Sequence, residues 1–62
     1  ADTRRRMAET YLRDTELPLT EIAFLLGFSE LSAFTRAAGK WFGAPPSVRR
    51  VELRRRETAP AG

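Results

Sequence analysis

The chain has no cysteine and no histidine. Without cysteine there is no disulfide to staple a small core and no thiolate to hold a metal, a composition compatible with a reducing compartment. Without histidine it lacks the commonest general base and the commonest metal ligand. Glu9, Asp14, Glu16 and Glu21 are scattered among polar positions, with no apolar surround to raise a carboxyl pKa. No enzyme is expected, and no cofactor, metal site or small-molecule ligand in this segment. No apolar run approaches the roughly 20 residues that span a bilayer, and no apolar signal core follows the N-terminal arginines. A soluble, intracellular chain with no membrane partner is expected. Its 62 residues leave room for one small domain, which would bury only about 60% of the surface its unfolded chain exposes.

What is present is helical periodicity and unevenly spread charge. Residues 1–28 carry four Arg against five acids, and residues 29–62 carry six Arg and one Lys against three acids. The overall charge is +3, and an anionic partner is expected on the second half. Met7, Ala8, Tyr11 and Leu12 form one stripe and predict a helix over Thr3–Asp14, capped by Thr3 or Asp2. Pro18 stops it. Thr20 reads as the N-cap of a short helix, Glu21 to Leu26, that buries Ile22, Ala23 and Leu26. Gly27 stands where a left-handed residue ends a helix.

Ser29 reads as the cap of a third helix, about 30–42, with Phe34, Ala37, Ala38, Trp41 and Phe42 as its stripe and Gly43 as its stop. Pro46 suits the first position of a fourth helix, about 46–56. Val48 and Val51, with Leu53 at the margin, are expected to face inward, and Arg49, Arg50, Arg54, Arg55 and Arg56 outward. The ends, "ADT" and "ETAPAG", read as frayed. With no strand-like alternation, the class is all-α: a small four-helix domain with short connections. Phe24 and Leu25 fall off the expected buried face. Either Leu19 packs on Phe24 as a hydrophobic staple, or the pair forms a contact patch.

The run Ile22-Ala23-x-x-Leu26-Gly27-Phe28 has a mechanical reading. A small residue at 23 lets a second helix approach, and a glycine at 27 lets the backbone turn. With an amphipathic helix behind it, this is a helix-turn-helix pattern. "LTEIAFLLGFSELSAFTRAAGKWFGAPPSVRR", Leu19 to Arg50, resembles the second helix-turn-helix of the AraC/XylS-type transcriptional regulators. IA, LGF, SxF, TR, WFG, P and R all fall at that family's spacing. The helix around Met7 to Leu12 resembles the family's linker helix. Three positions depart from the pattern. Ala38 and Gly39 stand where Phe and then a basic residue are common, and Arg49 stands where an aromatic is common.

The resemblance implies a homeodomain-like helix-turn-helix subdomain spanning 1–62, in a cytoplasmic transcription factor whose partner is double-stranded DNA. It also implies that a first helix-turn-helix, which normally precedes the linker helix, is absent from this chain. Carried over by position, the base-reading face of the third helix offers Leu31, Ser32, Thr35 and Arg36. Arg36 is the strongest reader, because a guanidinium bonds guanine bidentately. Thr20, at a helix N-terminus, and the cations Lys40 and Arg50 are candidate phosphate contacts. The alternative is a protein-interaction module that uses the Phe24/Leu25 surface for dimerisation or for RNA polymerase.

Overall fold

The computed structural model describes the backbone of residues 3–58 and the side chains of residues 3–56. Four helices follow one another: α1 (Thr3–Asp14), α2 (Leu19–Leu25), α3 (Leu31–Phe42) and α4 (Pro46–Thr58). There is no strand among the described residues, and the fold is all-α. Asp2 as a cap, and frayed ends at 1–2 and 59–62, lie outside the described residues. Thr3, Glu57 and Thr58, expected in frayed ends, are helical.

Each helix ends for a local reason. At the end of α1 the Thr15 hydroxyl donates to the Tyr11 carbonyl at 2.6 Å and in turn accepts from the Leu17 amide at 3.2 Å. Pro18 (φ −60°, ψ 150°) is the N-cap of α2, and its carbonyl accepts the Ile22 amide at 3.1 Å. Thr20 is therefore inside the first turn and is not the cap. Proline's fixed φ starts the helix two residues early, and no side chain caps it.

The staple positions shift with that boundary, to Leu17 before the cap and Ile22 four residues after it. Leu17 does pack on the core. With Pro18 as the cap, Leu19 and Phe24 no longer stand at the staple positions, and Phe24 is 55% exposed. At the other end of α2 the Phe28 amide donates to the Ala23 carbonyl and the Gly27 amide to the Phe24 carbonyl, both at 2.9 Å. These two bonds make a Schellman motif, and Gly27 occupies its left-handed position at φ +93°.

Ser29 does not cap α3 either. The boundary residue is Glu30 (φ −156°, ψ 160°), whose carboxylate accepts from the Ser32 hydroxyl. Gly43, at φ +72°, ends α3 with its amide on the Gly39 carbonyl at 3.0 Å. Pro46 opens α4, and the Pro45 carbonyl accepts the Arg49 amide.

The core is Ala8 and Leu12 from α1, Ile22, Ala23 and Leu26 at α2, Phe34 and Ala38 from α3, and Leu53 from α4. α1 packs on α2 and α4, and α3 packs on the same two. Ala23 is fully buried, as a close α2–α3 approach requires. Met7, from the expected α1 stripe, is instead 38% exposed.

α4 is rotated relative to expectation. Val48 and Val51 are 46% and 54% exposed, while Pro46, Arg49, Arg50 and Leu53 turn toward the bundle. The reason lies on the facing elements. The Arg49 guanidinium meets the Glu9 carboxylate at 2.8 Å and sits 5.0 Å over the Phe42 ring. Arg50 Nε donates to the Leu12 carbonyl at 3.0 Å, and its Nη2 donates to Thr15 at 3.2 Å and Tyr11 at 3.5 Å. Arg54 Nη2 donates to the Thr15 carbonyl at 2.7 Å and pairs with Glu16 at 3.1 Å. Cations from α4 thus cap the C-terminal end of α1, at the Leu12 carbonyl and at the Thr15 carbonyl just beyond the helix.

Candidate nucleic-acid interface

The face of α3 that does not enter the core follows from its buried residues. Phe34 and Ala38 are fully buried and Trp41 packs beside them. At about 100° per residue, Arg36 falls opposite this buried stripe, with Ser32, Gly39, Lys40 and Ala33 to either side. Ser32, Thr35, Arg36, Gly39 and Lys40 are all exposed. Ala33, Arg36, Ala37 and Lys40 line a shallow groove of about 310 Å³ on this face. Arg36 and Lys40 have no hydrogen-bond or ion-pair partner among the described residues. Both side chains face outward from the bundle.

The other expected reading residues differ in their state. Thr35 Oγ1 donates to the Leu31 carbonyl at 3.0 Å, so its hydroxyl offers lone pairs outward. Ser32 donates to Glu30, which places a carboxylate beside the first turn of α3. Leu31 is half-buried and packed against the core, at the margin of the face. Of the expected phosphate contacts, Thr20 is exposed in the first turn of α2 and Lys40 is exposed on α3. Arg50 is not presented in that way. It is half-buried, with its Nε and Nη2 engaged by the carbonyls of Leu12 and Thr15. Burial, with Arg54 nearby, pushes its pKa below the usual guanidinium value, whereas the Glu9 hydrogen bond raises that of Arg49. Much of the basic charge of the second half therefore holds α4 on α1, while the cations of α3 face outward.

Behind α3 runs a chain of rings. Phe28 stacks on Phe34 at 5.9 Å between centroids and meets Trp41 at 6.2 Å, and Trp41 meets Phe42 edge-on at 5.9 Å. Cations close both ends, Arg4 at 5.0 Å over Phe28 and Arg49 over Phe42. Such contacts are each worth about 0.5–1 kcal/mol at exposed sites. They tie α1 and α4 to α3, and so hold its outer face in place. Ala33, Gly39 and Glu30 were missed as members of that face, although helical spacing alone places the first two there. Arg4 is one of three consecutive arginines. Nothing in its own neighbourhood signals that it braces a ring 24 positions away.

Among the described residues, no group of acidic side chains is placed to hold a metal, and no helix is long and apolar enough to cross a membrane. In comparison with known proteins, a helix-turn-helix domain family matches residues 1–52. The ornithine utilization regulator of Pseudomonas aeruginosa is 56% identical over 46 residues, covering 74% of this chain and 14% of that protein. The HTH-type transcriptional regulator VirS of Mycobacterium tuberculosis is 49% identical over 43 residues, covering 69% of this chain and 13% of its own length. The chain thus spans about one seventh of the length of these relatives. No solved structure matches it.

Proposed function

The chain belongs to the AraC-type helix-turn-helix family, and from that premise we propose that α3 is its recognition helix, lying in the major groove of double-stranded DNA. The family's role is that of a DNA-binding transcription regulator, not an enzyme. Arg36 reads a base edge, with guanine the natural partner of a bidentate guanidinium. Ser32 and Thr35 supply hydroxyls beside it, and Leu31 gives an apolar margin for a thymine methyl. Lys40, and the α2 N-terminus at Thr20, hold phosphates and set the register without reading sequence. Residues 1–62 form one subdomain in this reading, with α1 as linker helix, the helix-turn-helix over about 20–42 and α4 closing it. It serves a longer regulator in the cytoplasm.

The observation that carries the reading is the position of Arg36: centred on the outward face of α3, opposite Phe34, and without a partner among the described residues. The test is a titration of the full-length protein against its preferred duplex and a scrambled one at several salt concentrations. Affinity should fall steeply with salt. Arg36→Ala should lose about 1–3 kcal/mol of discrimination between the two duplexes while leaving the unfolding midpoint unchanged. A variant that still discriminates as well as the unaltered protein removes Arg36 as the reader.

A second reading is favoured by a separate observation. Phe24 and Leu25 remain 55% and 49% exposed on α2. In this reading the pair is a contact patch for RNA polymerase or a second regulator subunit. Phe24→Ser would then abolish transcription activation or dimerisation and leave DNA affinity intact. Both functions are compatible in one protein.

A further inference from the structure

Arg4, Arg5 and Arg6 fill the first turn of α1, which holds no acid. Cations at that end work against the helix dipole, so they do not steady α1 itself. Arg4 has a use elsewhere. It is exposed, yet its guanidinium lies 5.0 Å over the Phe28 ring. Its Nη2 stands 3.2 Å from the point that a Cβ on Gly27 would occupy. Arg4 therefore lies against Gly27 and Phe28, in the turn that leads into α3. Phe28 is only half-buried within the bundle, and Arg4 covers its ring from α1.

The ring under Arg4 is stacked in turn on an anchor of α3. Phe28 meets Phe34 at 5.9 Å between centroids, with the rings 23° apart. Phe34 is fully buried and so fixes the rotation of α3 about its own axis. Arg36 follows two positions later, about 200° around the helix and on the opposite side. Its long side chain carries any rotation of α3 outward as a larger displacement of the guanidinium. Ser32, Thr35 and Arg36 all lie in the first half of α3, the half that follows the turn held by Arg4. We infer that Arg4 is a positioning residue for base reading: by clamping Phe28 on Phe34, it holds α3 at the rotation that presents Arg36. The inference rests on the reading of α3 as the recognition helix.

The test uses Arg4→Met, Arg36→Ala and the double variant in the full-length protein. Methionine keeps an unbranched side chain in α1 and removes the charge. The probes are the duplex that the unaltered protein selects from a random-sequence pool and a scrambled duplex. Both are titrated at several salt concentrations, well below every unfolding midpoint, so that all variants are folded. Arg4→Met should lower affinity for the selected duplex about two- to fivefold, the range that one exposed cation–π contact can hold. Affinity for the scrambled duplex and the salt slope should not change. In the Arg36→Ala background, Arg4→Met should cost no further discrimination, because its effect runs through Arg36. Unchanged discrimination in Arg4→Met overturns the inference, whatever its unfolding midpoint, and so do additive losses in the double variant. An equal loss on both duplexes with a shallower salt slope overturns it too, since that marks Arg4 as a phosphate contact. Undiminished discrimination in Arg36→Ala overturns the recognition-helix reading, and this inference with it.

Discussion

Arg50 separates two accounts of the same residue. From its sequence position it is a phosphate contact; in the fold it caps α1. Removing the side chain by Arg50→Ala deletes a 3.0 Å bond to the Leu12 carbonyl and a 3.2 Å bond to the Thr15 carbonyl, with a longer one to Tyr11. A hydrogen bond from a charged donor contributes about 1.5–3 kcal/mol, and a cation at a helix C-terminus adds about 0.3–1 kcal/mol. The site is only half-buried, so water recovers part of the loss, and the lower ends apply. The expected destabilisation is about 2–3 kcal/mol. A chain of this length is held by roughly 3–9 kcal/mol in all, so the effect is large. Arg50→Lys should restore less than half, since one ammonium cannot replace a planar fork that reaches two carbonyls. Because Arg54 shares the Thr15 carbonyl, Arg50→Ala and Arg54→Ala should not add independently. Urea unfolding followed by far-UV circular dichroism measures these losses. If Arg50→Ala unfolds within about 0.5 kcal/mol of the unaltered chain while its DNA affinity drops, the capping account is wrong and the phosphate account stands.

Phe34 is fully buried, and Phe34→Ala should cost about 3–5 kcal/mol, enough to abolish cooperative thermal unfolding. The control is Phe24→Ser, at a residue 55% exposed, which should stay within about 0.5 kcal/mol; equal losses at both sites would mean that the core is misassigned. Gly27→Ala should cost about 1–2 kcal/mol, because an L side chain at φ +93° strains the backbone and its Cβ would stand 3.2 Å from Arg4 Nη2. A chemical-denaturation midpoint that does not move on Gly27→Ala would show that the α2–α3 turn takes another conformation in solution.

Much of the fold is legible because the signals are local. The Met7–Leu12 spacing, the Pro18 break, the Gly27 and Gly43 stops and the Pro45-Pro46 start each act through nearby backbone. The helices fall within a few residues of where those signals put them. The misread caps show the limit of such signals. Thr20 and Ser29 are both good capping residues, but so placed that proline at 18 and the extended backbone at Glu30 define the boundaries instead. For the candidate site, the exposure of Ser32, Thr35 and Arg36 follows from knowing that Phe34 is buried. The half-burial of Leu31 and the exposure of Gly39 follow from the same rotation, read more finely.

α4 was not legible in this way. Its sequence holds two helical stripes, one of Val48 and Val51 and one of Arg49, Arg50 and Leu53, and periodicity cannot say which faces in. Hydrophobicity alone favours the valines. The choice depends on what stands opposite: the open carbonyls at the end of α1, the Glu9 carboxylate and the Phe42 ring. Those groups are about 7 to 40 residues away in the chain and become neighbours only once α1, α3 and α4 pack. The order, length and turns of the helices were therefore written locally in the residues. The inward turn of the arginines, and with it the set of cations left facing outward, was decided by packing, because a half-buried cation is stable only where acceptors already wait for it.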